Sequence, residues 1–100
     1  METRRASKYA MRGKGLYDAH NHRIATVRGE SIYDADNHRI GVVHGDNFVD
    51  AEGRIMMRVR GKDICDANGK RVAAVAEALD TIEAALEANL RAALWYCFVR

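Results

Sequence analysis

The stretch GKGLYDAHNHRIATVR (13–28), GESIYDADNHRIGVVH (29–44), GDNFVDAEGRIMMRVR (45–60), GKDICDANGKRVAAVA (61–76) is one 16-residue unit written four times without a gap. Glycine opens every copy (Gly13, Gly29, Gly45, Gly61), and the fourth column is apolar (Leu16, Ile32, Phe48, Ile64). The sixth and seventh columns are always Asp-Ala, at Asp18-Ala19, Asp34-Ala35, Asp50-Ala51 and Asp66-Ala67. The ninth is Asn21, Asn37, Gly53 and Gly69, the twelfth Ile24, Ile40, Met56 and Val72, and the fifteenth is valine throughout (Val27, Val43, Val59, Val75). A fixed period of this kind marks a repeat architecture, in which each unit needs its neighbours to cover its apolar side.

Each column has a turn-chemical reason. An aspartate at the first position of a type I turn accepts hydrogen bonds from backbone N–H groups two or three residues on. Asn or Gly three residues later tolerates the left-handed backbone that a three-to-five-residue hairpin loop needs. The second connection, Arg28-Gly29-Glu30-Ser31 and its copies, suits a II′ turn with glycine first. The unit therefore reads strand, turn, strand, turn, and four units predict eight short antiparallel strands. Open edges favour closure, so the expected fold is a pseudo-fourfold closed meander, a shallow barrel. The thirteenth column is small at Ala25, Gly41 and Ala73, with Met57 the exception, which suits a crowded axis or a close neighbouring strand. Columns four, twelve, thirteen and fifteen do not share one parity, so either both sheet faces are partly covered or the strands carry bulges. Residues 1–12 read as a basic arm, and Tyr9 and Met11 fall where columns thirteen and fifteen would be, which allows an extra strand there.

After Val75 the period changes to helical. Val75, Leu79, Ile82, Leu86, Leu90 and Leu94 make one stripe, with Asp80, Glu83, Glu87 and Arg91 on the other side. The segment 77–100 thus predicts one amphipathic helix of about twenty residues, and the chain as a whole is mainly β with one C-terminal helix. Its end, Leu94 to Val99, is apolar all round and has three possible covers: the ring's own axis, a second subunit or lipid.

With 100 residues the chain has room for one domain, and 48% apolar beside 30% charged residues excludes whole-chain disorder. No apolar run is long enough for a membrane-spanning helix, and the basic start is not followed by the apolar run of a secretory signal. Two cysteines, Cys65 and Cys97, build neither a disulfide framework nor a four-ligand zinc site, and they point to a reducing cytoplasm. The net charge of +2 divides into an arm at 1–14 of five basic and one acidic residue, a body at 15–76 of nine and nine, and a tail at 77–100 of two and four. On this sum the basic excess belongs to the arm and not to a face of the fold.

The repeated [LI]-Y-D-A-x-N-[GH]-x-x-[IV]-x-x-V pattern, in LYDAHNHRIATV (16–27) and IYDADNHRIGVV (32–43), resembles the β-flower proteins of the four-hairpin type, over residues 13–76. Its hairpins also look like pieces of tubby-like and LURP-one-like domains, where β-hairpins surround an apolar C-terminal helix, and ALWYCFV (93–99) is similar in position to that helix. The first resemblance implies a fold and no established activity. The second implies binding to anionic membrane lipid, without a lipid-site motif to carry over.

The candidate chemistry is sparse. Asp18, Asp34, Asp50 and Asp66 are accounted for as turn caps, and His20, His22, His38 and His44 lack the four-ligand set that zinc needs. No phosphate loop, activated nucleophile or catalytic order of residues is evident, so neither an enzyme nor a cofactor is expected. Basic residues beside the Asp-Ala turns, His22, Arg23, His38, Arg39, Arg54, Lys70 and Arg71, make a candidate anion-binding rim. The expected role is a non-enzymatic β-repeat module, structural or binding and self-associating. The alternative is a peripheral module on anionic membrane that uses the basic arm and apolar end. No specific nucleic acid is expected. Leu94, Trp95, Tyr96, Phe98 and Val99 are the candidate contacts for self-association, with a dimer favoured, or for lipid. Light scattering after size exclusion checks this: a dimer is expected, and a monodisperse 11.2 kDa species at micromolar concentration overturns it.

Overall fold

A computed structural model describes residues 9–100, so Arg4, Arg5 and Lys8 of the basic arm lie outside the described residues. Each Asp-Ala turn closes as its sequence requires. In the first, the Asn21 N–H donates to the Asp18 carbonyl at 3.0 Å and the Asp18 N–H to the His22 carbonyl at 3.0 Å, and the other three turns repeat this pair. The ninth-column residue is left-handed in every copy, with φ of 69° and 70° at Asn21 and Asn37 and 86° and 84° at Gly53 and Gly69. The glycine turns match the II′ expectation: Gly29 has φ of 62° and the Glu30 that follows it does not enter the left-handed region.

These turns join β1 (Tyr9–Arg12), β2 (Gly15–Tyr17), β3 (Arg23–Arg28), β4 (Ser31–Asp34), β5 (Arg39–His44), β6 (Asn47–Asp50), β7 (Ile55–Arg60), β8 (Asp63–Asp66) and β9 (Arg71–Ala74) into an antiparallel meander. Tyr9–Arg12 is therefore the extra strand. Opposite Leu16 and Tyr17 stand Ala25 and Arg23, which leaves Ile24 as the extra residue of a bulge. The same slip recurs between β4 and β5, β6 and β7, and β8 and β9, at Ile40, Met56 and Val72. The parity problem is resolved by bulges, which turn the twelfth column onto the core beside columns four, thirteen and fifteen. Leu16, Ile32, Phe48 and Ile64 are each fully buried there. At Gly41 the cause of smallness is the neighbouring strand: a Cβ would collide with the Val49 carbonyl oxygen and lie 2.9 Å from Phe48 Cζ.

Two expectations are corrected. The sheet has ten strands rather than eight, with Ile82–Glu83 as β10, in the order β10-β1-β2-β3-β4-β5-β6-β7-β8-β9, and its hydrogen-bonded ladder does not close. The single long helix is broken into α1 (Val75–Thr81), strand β10 (Ile82–Glu83), α2 (Ala88–Leu94) and a π-helical turn at Trp95–Val99. Geometry gives the reason. A straight twenty-residue helix is roughly 30 Å long, whereas strands of three to six residues span about 20 Å or less. Breaking the helix lets α1 lead from the β9 edge to the other end of the sheet, where Ile82 and Glu83 pair in parallel with Tyr9 and Ala10. Ile82 is thereby fully buried. Helix α2 then packs on the core face, its start anchored by Asn89 Nδ2, which donates to the Gly45 carbonyl at 2.7 Å and to Asp46 Oδ1 at 3.1 Å.

The apolar end does not project. Leu94 is 0% and Trp95 5% exposed, both in the same core as the fourth-column residues, while Tyr96, Phe98 and Val99 are half-buried against it. The closeness of β6 to Gly41 yields a test: Gly41→Ala is expected to cost about 1–3 kcal/mol in urea unfolding, since a backbone carbonyl has to move. A loss within a few tenths of a kcal/mol would show that this approach is not as tight as drawn.

Candidate functional site

The Asp-Ala turns lie together at one end of the meander, and each aspartate serves its own backbone. Asp34 Oδ1 accepts the Asp36 N–H at 2.9 Å and the His38 N–H at 2.8 Å, two and four residues on, and Asp18, Asp50 and Asp66 do the same. The backbone N–H of His22 holds the Asp18 carboxyl below its usual range, as that of His38 holds Asp34. The tenth-column side chains fold back over these carboxylates: His22 Nδ1 is 3.8 Å from Asp18, His38 Nδ1 3.6 Å from Asp34 and Arg54 Nε 3.6 Å from Asp50. Three of the seven candidate rim residues, His22, His38 and Arg54, thus sit against the carboxylate of their own turn.

Arg23, Arg39 and Arg71 belong to a different surface. Cross-strand partners share a face of a sheet, and partners such as Tyr17–Arg23, Tyr33–Arg39, Arg28–Ser31, Arg58–Cys65 and Arg60–Asp63 all lie on the face turned away from the core. That face carries Arg12, Arg23, Arg28, Arg39, Arg58, Arg60 and Arg71, and across β1–β9 its one acidic side chain is Asp63. The remaining acids of the body stand in the turns or, as with Asp34, opposite core residues such as Ala25. Net neutrality over 15–76 hid this sorting: every arginine of the body but Arg54 occupies an outward strand position, and every carboxylate but Asp63 stands in or beside a turn. Arg12, Arg28, Arg58 and Arg60 were missed because parity along a strand is unreadable until the bulge is located.

Two aromatic rings sit among these arginines. The Arg12 guanidinium lies 4.0 Å from the Tyr17 ring centroid and Arg28 5.2 Å from that of Tyr33. Arg12 also donates to Asn21 Oδ1, and Arg71 is bound to Asp63 at 2.8 Å.

A family profile described as "4-fold beta flower protein" matches residues 12–92. The chain belongs to the 4-fold β-flower family. No curated protein and no solved structure matches it. The match runs beyond the four repeats through α1 and into α2, so the helical return belongs to the β-flower unit. β-Flowers have no established biochemical role and are not a known enzyme family.

Elsewhere this β-flower offers little chemistry. Among the described residues one group, Asp34, Asp36 and His38, brings ligand atoms within 4.8 Å of one another, but it is a solvent-facing turn whose Asp34 already caps the backbone. Burial pushes the Cys97 thiol up to about 11, so it is not a thiolate nucleophile at neutral pH, and Cys65 is buried. An open cleft of about 560 Å³ lies between β1 and residues 83–85, lined by Ala10, Met11, Arg12, Glu83, Ala84 and Ala85. No described helix is long and apolar enough to cross a membrane.

The lowered carboxyls fix a pH dependence. A carboxyl held down in the fold stabilises it above the unfolded value, near 3.8, and that contribution is lost as pH falls through the lower folded value. Thermal melts should therefore show Asp34→Ala less stable than the parent at pH 7, with the gap narrowing at acid pH. A gap of constant size down to pH 2 would mean that the carboxylate charge is not what holds the turn.

Proposed function

We propose that this β-flower is a non-catalytic binding module whose working surface is the arginine-lined face of the sheet, and that it takes anionic groups, phosphates foremost. The observation that carries the reading is the segregation of charge on a body whose net charge is zero. Arginine suits the task because its planar fork bonds phosphate through two N–H groups at once. The sites lie on strands, which position side chains more rigidly than loops do. The turn-end residues His22, His38 and Arg54 contribute less, since a neighbouring carboxylate already offsets each. Arg23, Arg39 and Arg71 of the original rim stay in the proposal, joined by Arg12, Arg28, Arg58 and Arg60.

Against this, self-association and lipid insertion have a narrower basis. Both drew on an apolar end in need of cover, and Leu94 and Trp95 are covered by the chain's own core. What is left for a second subunit or a lipid surface is the half-buried trio Tyr96, Phe98 and Val99.

Inorganic polyphosphate is a suitable probe. Arg28→Glu with Arg39→Glu is expected to weaken its binding roughly tenfold or more, since a hydrogen bond to a charged group is worth ~1.5–3 kcal/mol. Arg54→Glu with Lys70→Glu, on the turns, is expected to change it far less. Equal binding by parent and Arg28/Arg39 variant, measured by calorimetry, would overturn the assignment of this face.

A further inference from the structure

Resting on that reading, we infer that the anion is single-stranded nucleic acid, held without sequence preference on β1–β5 by two like clusters, Arg12–Tyr17–Arg23 and Arg28–Tyr33–Arg39. In each cluster a guanidinium stands over the ring, and a second arginine faces the same tyrosine across the strand pair. The clusters are one repeat apart, which is two strands or roughly 9–10 Å. On this face β1–β5 carry no acidic side chain, and the single aspartate of the face, Asp63, is on β8 and engaged by Arg71. The third and fourth repeats have Val49 and Cys65 at the tyrosine position, so the aromatic footprint is confined to the N-terminal half.

The mixture of groups selects the partner. Phosphate alone asks only for positive charge, but interleaved arginine and aromatic side chains also offer planes for bases, which stack on rings and on guanidinium groups alike. A tyrosine beneath a guanidinium limits its freedom and leaves its outer side for a base; the N–H edge of Arg28 faces phosphate, while Arg12 spends one N–H on Asn21 Oδ1 and keeps the others. Ser31, between Arg28 and Val42 in the cross-strand register, adds a hydroxyl of the kind that bonds phosphate oxygens. A membrane surface is favoured less, because peripheral binding normally adds an apolar wedge. The apolar side chains of this face, the row Val42–Val49–Ile55 and the two rings, are half-buried and do not project as a wedge.

The test uses the full chain, fluorescence anisotropy with labelled oligothymidylate and a labelled abasic oligodeoxynucleotide of the same length, and, separately, co-sedimentation with phosphatidylserine-containing vesicles. Oligothymidylate is expected to bind at least about fivefold more tightly than the abasic strand, and affinity for both to fall steeply with salt. Tyr17→Leu with Tyr33→Leu is expected to remove the difference by weakening oligothymidylate more than the abasic strand, with circular dichroism reporting that the variant is folded. Equal affinity of the parent chain for the two oligonucleotides, which needs no variant, overturns the inference and leaves the phosphate-binding face standing. Binding to vesicles with none to oligothymidylate overturns it in favour of a lipid surface. Failure to bind either oligonucleotide, vesicles or polyphosphate overturns both readings.

Discussion

The fold depends on how one carboxylate oxygen is used four times. In each repeat the aspartate before alanine collects two backbone N–H groups of its own turn, and the left-handed Asn or Gly three residues on completes the reversal. A turn closed this way fixes which residues face each other across the hairpin, and so where the bulge must fall. Because side chains alternate with a period of two, a register shifted by one residue would exchange core and solvent positions along a whole strand. The bulge at Ile24, Ile40, Met56 and Val72 makes that exchange locally, once per repeat, and it brings both the twelfth and thirteenth columns to the core.

The charge pattern follows from the same register. With apolar columns inward, arginines at columns eleven and sixteen can only point outward, while acidic side chains are needed where backbone donors cluster at turns. Sorting by position rather than by net charge separates the two signs on a body that sums to zero. Arginines spaced along rigid strands repel one another only weakly at physiological ionic strength, where the screening length is about 8 Å. The tyrosines at 17 and 33 also shield part of the repulsion by holding Arg12 and Arg28 against their rings.

Local chemistry was legible in the sequence because it is encoded locally. The turn types, the left-handed Asn37, the apolar fourth column and the family all follow from residues within one 16-residue window. What was not legible depends on distant partners. The helical stripe from Val75 to Leu94 has an unbroken 3.6-residue period, yet Ile82 and Glu83 leave the helix to pair with β1, more than seventy residues earlier in the chain. Helix propensity is a weak preference, and an unpaired strand edge with an apolar pocket for Ile82 outweighs it. The burial of Trp95 likewise depends on the depth of a core assembled by all four repeats. The candidate site was half legible: Arg23, Arg39 and Arg71 were named from their turns, whereas Arg12, Arg28, Arg58 and Arg60 needed the bulge.

The repeats also separate what folding requires from what it leaves free. All four share one backbone register, although the outward fifth column holds Tyr17, Tyr33, Val49 and Cys65 and the outward eleventh holds Arg23, Arg39, Ile55 and Arg71. Residues so different at equivalent positions cannot be dictating the hairpin, since each hairpin forms with any of them. The inward column has no such latitude: Phe48 replaces the aliphatic residue of its column only beside a glycine, Gly41, whose missing side chain makes room for the ring. The hairpin register does not demand the concentration of arginine and tyrosine on the outward side of β1–β5, since equivalent columns hold Val49, Cys65 and Ile55 in the later repeats, and that is the physical reason to look for function on that face.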